Sequence, residues 1–143
     1  MRYLRLEPAR GELRVRVFGT TAPELLENAG FAVFDLSYDL SNVPPTYSRP
    51  IVAPGDTLDD LLANWVSELV AWSTSELLVW SYFVVDRLEE GGVQGSAAGL
   101  PIGEVPAQRV IVSGVSGASV LAGPDGWSAE LSLVTAPRLR PLA

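Results

Sequence analysis

The chain has 143 residues, 17 of them acidic and ten of them Arg, with no Lys, and a formal net charge of −7. It contains no Cys and no His, which excludes disulfides, thiol nucleophiles, Cys-based zinc sites and Ser–His or Cys–His catalytic pairs. The acidic balance argues against direct nucleic-acid binding, which needs clustered cations to displace counterions.

The length suits one domain spanning residues 1–143, with a substantial core. Hydrophobic residues make up 48% of the chain, yet charges, Gly and Pro interrupt them before any run reaches the ~18 residues of a membrane helix. Met1 to Glu7 is charged throughout and does not read as a secretory signal, so a cytoplasmic location is expected. Five of the ten Arg lie between Arg2 and Arg16. Such a locally basic amino end can mark a docking face, although a solvated strand is its commoner meaning.

Arg2 to Glu7 reads as a strand, and Glu12 to Phe18 as a second one in which Leu13, Val15 and Val17 alternate with Glu12, Arg14 and Arg16. Pro8 to Gly11 supplies the turn. After Gly19, Thr21 and Glu24 stand at capping-box spacing and Pro23 suits a first helical turn. Leu25, Leu26, Ala29, Val33 and Leu36 give that helix a buried face ending near Leu36. Gly30 within it either weakens the helix by ~1 kcal/mol or permits a close contact. Pro44 and Pro45 exclude helix from the crossing segment, Ser37 to Ser48. Arg49 to Ala53 is then a short strand, and Pro54-Gly55 a turn.

Asp56 to Ser75 is the most strongly patterned stretch. Leu58, Leu61, Leu62, Trp65, Leu69 and Trp72 form one apolar stripe, and each large side chain buried there is worth about 1.5–3 kcal/mol. Asp56 or Thr57 caps its start. Asp59 and Asp60 are read as first-turn residues favoured by the helix dipole rather than as a paired carboxylate site. Beyond it the pattern is all strand. Leu77 to Leu88 is followed by a turn at Glu89 to Gly92, and Val93 to Ala98 reads as an edge or bulged strand because it is so small. Gln108 to Val115, Ala118 to Ala122 and Trp127 to Thr135 are three more strands, the last two joined by a turn at Pro124-Asp-Gly126. Arg138 to Ala143 is expected to be a short, poorly ordered tail. The class is α+β, a mainly antiparallel sheet layer or layers packed with two helices. Ser113-Gly-Val-Ser-Gly117 is not a nucleophile elbow, since it lacks the Gly-x-Ser-x-Gly order and no His could serve as base.

Several of these stretches together resemble the archease family. Asn28-Ala-Gly-Phe-Ala-Val-Phe-Asp-Leu-Ser-Tyr-Asp39-Leu-Ser-Asn-Val43 is similar to the family's first-helix motif without gaps. Asp59-Asp-Leu-Leu-Ala-Asn-Trp-Val-Ser-Glu-Leu69 is similar to its second. Tyr82-Phe-Val-Val, Gly99-Leu-Pro-Ile and Trp127-Ser-Ala-Glu-Leu sit where family strands and turns would. The resemblance covers nearly the whole chain and implies the archease fold. It also implies a cytoplasmic accessory protein rather than an enzyme, a metal-binding activator that promotes the guanylylation and turnover of an RNA ligase of tRNA splicing.

In that family the metal site takes acidic residues from the first strand, the end of the first helix and the last strand. Carried over, these positions are Glu12, Asp39 and, at or next to it, Val134. The implied cofactor is a divalent cation, Ca²⁺ or Mg²⁺, held by Glu12 and Asp39 and weakened or lost because the third carboxylate is missing. The family's Lys and His strand corresponds to Ser113 to Ala118, which keeps neither. The family's amino-terminal His is replaced by Ala9, and its Gly-Glu turn reads Gly99-Leu100. Without the resemblance, Asp39 reads as the start of an Asx turn and Glu12 as a solvated strand residue. The expected partner is a protein, an RNA ligase by the resemblance. The alternative is a metal-free interaction module that keeps the fold and has lost ligase activation. No motif bears on the oligomeric state.

Overall fold

A computed structural model describes residues 1–137, so the tail expected from Arg138 lies outside the described residues. Two strands open the chain, β1 (Tyr3–Ala9) and β2 (Glu12–Gly19), joined through Arg10 and Gly11, both at positive φ. Two consecutive positive-φ residues make the hairpin turn whose twist matches that of the strands. Helix α1 (Ala22–Ser37) starts at Thr21, whose hydroxyl accepts the Glu24 N–H at 3.2 Å. The Glu24 carboxylate in turn accepts from Thr20 N–H and Oγ at 3.2 and 3.0 Å, one residue further back than in a standard capping box. After β3 (Tyr47–Gly55), α2 (Leu58–Glu76) is capped by Thr57 and ends where Leu77 turns left-handed at φ 57°.

Four strands follow, β4 (Leu78–Glu89), β5 (Gly91–Pro101), β6 (Val110–Gly123) and β7 (Gly126–Pro137), with a 3₁₀ turn at Ile102–Glu104. They build two antiparallel sheets of order β1-β2-β7-β6 and β3-β5-β4. The two helices lie between the sheets, α1 against β2 and β4, α2 against β6 and β3. Both are therefore covered on two sides, which is why burial spreads beyond a single stripe. Val66 on α2 and Ala32 and Phe34 on α1 are buried in addition to the expected faces. Trp65 and Trp80 are wholly buried, and each indole N–H reaches a helix carbonyl at 2.9 Å, that of Leu26 and that of Leu69. Trp72 is half-buried, with the Arg49 guanidinium 3.2 Å above its ring. No described helix is long and apolar enough to cross a membrane.

Three expectations need correction. Gln108 to Val115 and Ala118 to Ala122 are not two strands but one, β6, which carries an extra residue at Ser113 and another at Ser116 relative to β7. Small residues let the chain bulge there without leaving the ladder. Val93 to Ala98 belongs to the central strand of its sheet, and the bulges fall on its neighbour β4, at Ser81 and Asp86. A Cβ on Gly95 would collide with the Val84 carbonyl and one on Gly99 with that of Val79. The strand is small because its neighbours leave no room, not because it is marginal. Finally, β3 is longer than Arg49 to Ala53 and forms an edge on which Pro50 and Pro54 are exposed.

Candidate functional site

Val15 and Val17 are fully buried toward the helices, so Glu12, Arg14 and Arg16 share the opposite face of β2. There Arg14 and Arg16 both pair with Glu130 of β7, at 3.0 and 2.5 Å. The Glu130 carboxyl is held below its ordinary range, chiefly by the hydrogen bond from Arg16. Leu13 pairs with Leu133, which brings Glu12 one register step on, beside Val134. The Glu12 carboxylate accepts a hydrogen bond from the Ser116 hydroxyl, at the second bulge of β6. Ser116 Oγ also lies 3.2 Å from the Ser132 carbonyl.

Asp39 is positioned differently, by the way α1 ends. Ser37 is buried, its hydroxyl donating to the Val33 carbonyl and accepting the Val112 N–H, both at 2.9 Å. The Gln108 N–H donates to the Ser37 carbonyl at 2.8 Å and the Asp39 N–H to that of Pro106 at 2.9 Å. The helix end is thereby stapled to the segment before β6. The Asp39 side chain is exposed, and its Oδ1 accepts from Ser41 Oγ at 2.6 Å and Ser41 N–H at 3.1 Å. These bonds, the hydroxyl first, lower its pKa.

A resident Ca²⁺ takes about six to eight converging oxygens, whereas Mg²⁺ keeps several waters around one or two carboxylates. Among the described residues no three Asp, Glu, His or Cys side chains converge closely enough to hold a metal ion. Glu12 and Asp39 are engaged separately, one by Ser116 and the other by Ser41, and Val134 adds no oxygen. As arranged, this donor set does not fit a resident Ca²⁺.

A groove of about 620 Å³ lies between β1 and the end of α1, lined by Tyr3, Arg5, Glu12, Asp35, Gln108 and Arg109 among others. It includes Glu12 but not Asp39. At its base the Tyr3 hydroxyl donates to Asp35 Oδ2 at 2.6 Å. Burial, then that bond, raises the Tyr3 pKa far above its usual value, so the phenol stays protonated. Sequence reasoning passed over Asp35. One signal was available, a carboxylate in the last turn of a helix, where the dipole disfavours it and a local partner is called for.

The Archease protein family model matches residues 6–131. Protein archease of Sulfurisphaera tokodaii is 33% identical over 89 residues, covering 62% of this chain and 64% of that protein. Protein archease of Methanosarcina barkeri is 28% identical over 93 residues, 65% of this chain and 64% of that one. Protein archease of Aeropyrum pernix is 31% identical over 98 residues, 68% of each. The chain thus spans about 64% of the length of the first two relatives. The solution structure of Methanobacterium thermoautotrophicum protein 1598 superposes with a TM-score of 0.75, over 92% of this chain and 97% of that one, at 20% identity. That likeness establishes the fold, two helices with antiparallel sheets.

Proposed function

The chain belongs to the archease family, and from that premise we propose that it is a cytoplasmic accessory protein that binds an RNA ligase of tRNA splicing and promotes its guanylylation and turnover. The observation that carries the proposal is the family match across residues 6–131, which takes in both helices and most of both sheets. The absence of His, Cys and Lys supports an accessory role over an enzymatic one, since it leaves only carboxylates, hydroxyls and Arg for any chemistry and no His or Lys to activate a hydroxyl nucleophile. The test is to add the protein in equimolar amount to the ligase of the same organism and follow covalent nucleotide on the ligase over time. Faster guanylylation is expected, and an unchanged rate would overturn the proposal.

A second reading is favoured by one observation. Glu12 and Asp39 are each bonded to a serine while Val134 stands in the third position. On that reading the chain is a metal-free interaction module that binds its partner without accelerating it. The same assay, run beside a direct binding measurement, separates the two.

A further inference from the structure

A strand that ends a sheet presents unpaired N–H and C=O groups unless something covers them. Among the described residues four strands do so, β1 and β6 in one sheet, β3 and β4 in the other. Three of the four are blunted. β6 carries its two bulges, and Val112 and Val120 already donate their N–H groups to Ser37 Oγ and Asp59 Oδ1, at 2.9 and 2.8 Å. β4 carries bulges at Ser81 and Asp86, and its Val85 N–H donates to Glu27 Oε2 at 2.8 Å. β3 contains Pro50 and Pro54, which have no N–H to offer.

β1 has none of these devices between Tyr3 and Leu6. Its pairing with β2 is regular there, and no described side chain accepts from its amides. The Phe18 N–H donates to the Arg2 carbonyl at 2.9 Å. Arg2 and Phe18 are therefore a hydrogen-bonded pair, and by alternation so are Leu4 with Arg16 and Leu6 with Arg14. The N–H and C=O groups of Tyr3 and Arg5 point away from the sheet.

The side chains of these two residues stand opposite the buried Val17 and Val15, on the helix side, where they line the groove described above. A strand added to β1 would send alternate side chains into that groove. Its charge is legible. The groove holds two carboxylates and two guanidinium groups. Asp35 is bonded to Tyr3 and Glu12 to Ser116, while Arg5 and Arg109 have no ion-pair partner among the described residues, so the two arginines are the charges left for an incoming strand. On the other face, by contrast, Arg14 and Arg16 share Glu130.

We propose that β1 is a docking edge for an extended acidic segment of a partner protein, which pairs with the free groups of Tyr3 and Arg5 and places a carboxylate between Arg5 and Arg109. Main-chain bonds would supply affinity and the groove specificity, the usual division in strand addition. The inference rests on the proposed function for its premise that the chain works by engaging a protein. A second copy of the chain is the poorer occupant, because it would set the same Arg2, Arg5 and Arg10 against themselves.

The test uses the full chain and two synthetic peptides of alternating sequence, one Val–Glu and one Val–Lys, with amide hydrogen exchange followed by NMR. The Val–Glu peptide should slow exchange at Tyr3 and Arg5, and bind about tenfold or more tightly than the Val–Lys peptide. Arg5→Glu combined with Arg109→Glu should reverse that preference, which a merely destabilised fold would not do. Equal binding of the two peptides, or slowed exchange at β3, β4 or β6 instead, would overturn the proposal. Slowing at β1 that depends only on the concentration of the chain itself would also overturn it, in favour of self-pairing. The peptide assay contains no ligase, so this inference can fail while ligase activation stands, and the reverse.

Discussion

The carboxylate of Glu27, on α1, accepts the backbone N–H of Val85 on β4 at 2.8 Å, across 58 residues of sequence. A helix side chain thus closes a sheet edge that would otherwise offer a donor to other chains. Removing the acceptor should leave that partly buried donor unpaired, at a cost of about 1–3 kcal/mol. Glu27→Leu is expected to lower stability by that order in chemical denaturation and to increase light scattering on mild heating. Glu27→Gln keeps an acceptor and should scatter like the parent. Equal scattering from all three would remove the edge-closing role.

Gly30 sits inside α1, where Ala would ordinarily gain about 1 kcal/mol of helix propensity. Here a Cβ would come within 2.7 Å of Phe83 Cδ1 and 3.0 Å of Leu69 Cδ1, and both of those side chains are buried. Of the two meanings this glycine could have, close packing is the one the structure adopts. Overpacking a core costs about 1–3 kcal/mol, so it outweighs the propensity gain. Gly30→Ala should destabilise the chain, and Gly30→Ala with Phe83→Leu should recover part of the loss. A net gain from Gly30→Ala alone would contradict the packing account.

Local chemistry was legible in the sequence, and distant pairing was not. Thr21 with Glu24 and Thr57 with Asp60 are three residues apart, so both helix starts could be read directly, as could the alternation of Leu13, Val15 and Val17. The continuity of β6 could not be read, because Ser113-Gly-Val-Ser-Gly117 has low strand propensity and is held by β7 pairing. The central place of β5 was hidden for a similar reason. Its glycines are set by the carbonyls of Val79 and Val84, which lie on another strand. The site divides in the same way. The Asp39–Ser41 turn spans two residues and is a local reading, whereas Glu12 and Ser116 are 104 residues apart and Tyr3 and Asp35 are 32.

Glu130 should make stability depend on pH in acid. Its folded pKa lies below the ordinary 4.5, first through the Arg16 hydrogen bond. A lowered carboxylate pKa adds stability that is fully present above the unfolded value and is lost as pH falls through the folded one. The group is 39% exposed, so solvent screening limits the pair to about 0.2–1 kcal/mol. Glu130→Gln should therefore unfold more easily than the parent at pH 7, and the gap should close between pH 4.5 and more acid values. The gap at pH 7 should also narrow with added salt. A gap that persists undiminished at the acid end would point to a packing role.

The last prediction concerns the cation. Even permissive protein sites for Ca²⁺ bind at about 10⁻⁴–10⁻³ M, and they do so with several oxygens converging on the ion. Here Ser116 and Ser41 engage the two candidate carboxylates in separate hydrogen bonds, and Val134, 44% exposed, stands beside Glu12 with no oxygen to give. Calorimetric titration with Ca²⁺, Mg²⁺ and Mn²⁺ should show no saturable heat below about 1 mM. Val134→Asp would place a second carboxylate one strand away from Glu12, in contact with solvent, and should raise Mn²⁺ affinity above that of the parent. Saturable binding by the parent that Asp39→Ala abolishes would restore Glu12 and Asp39 as a working cation site. It would mean that the serine bonds yield to the metal, and it would return the metal-dependent form of ligase activation to first place.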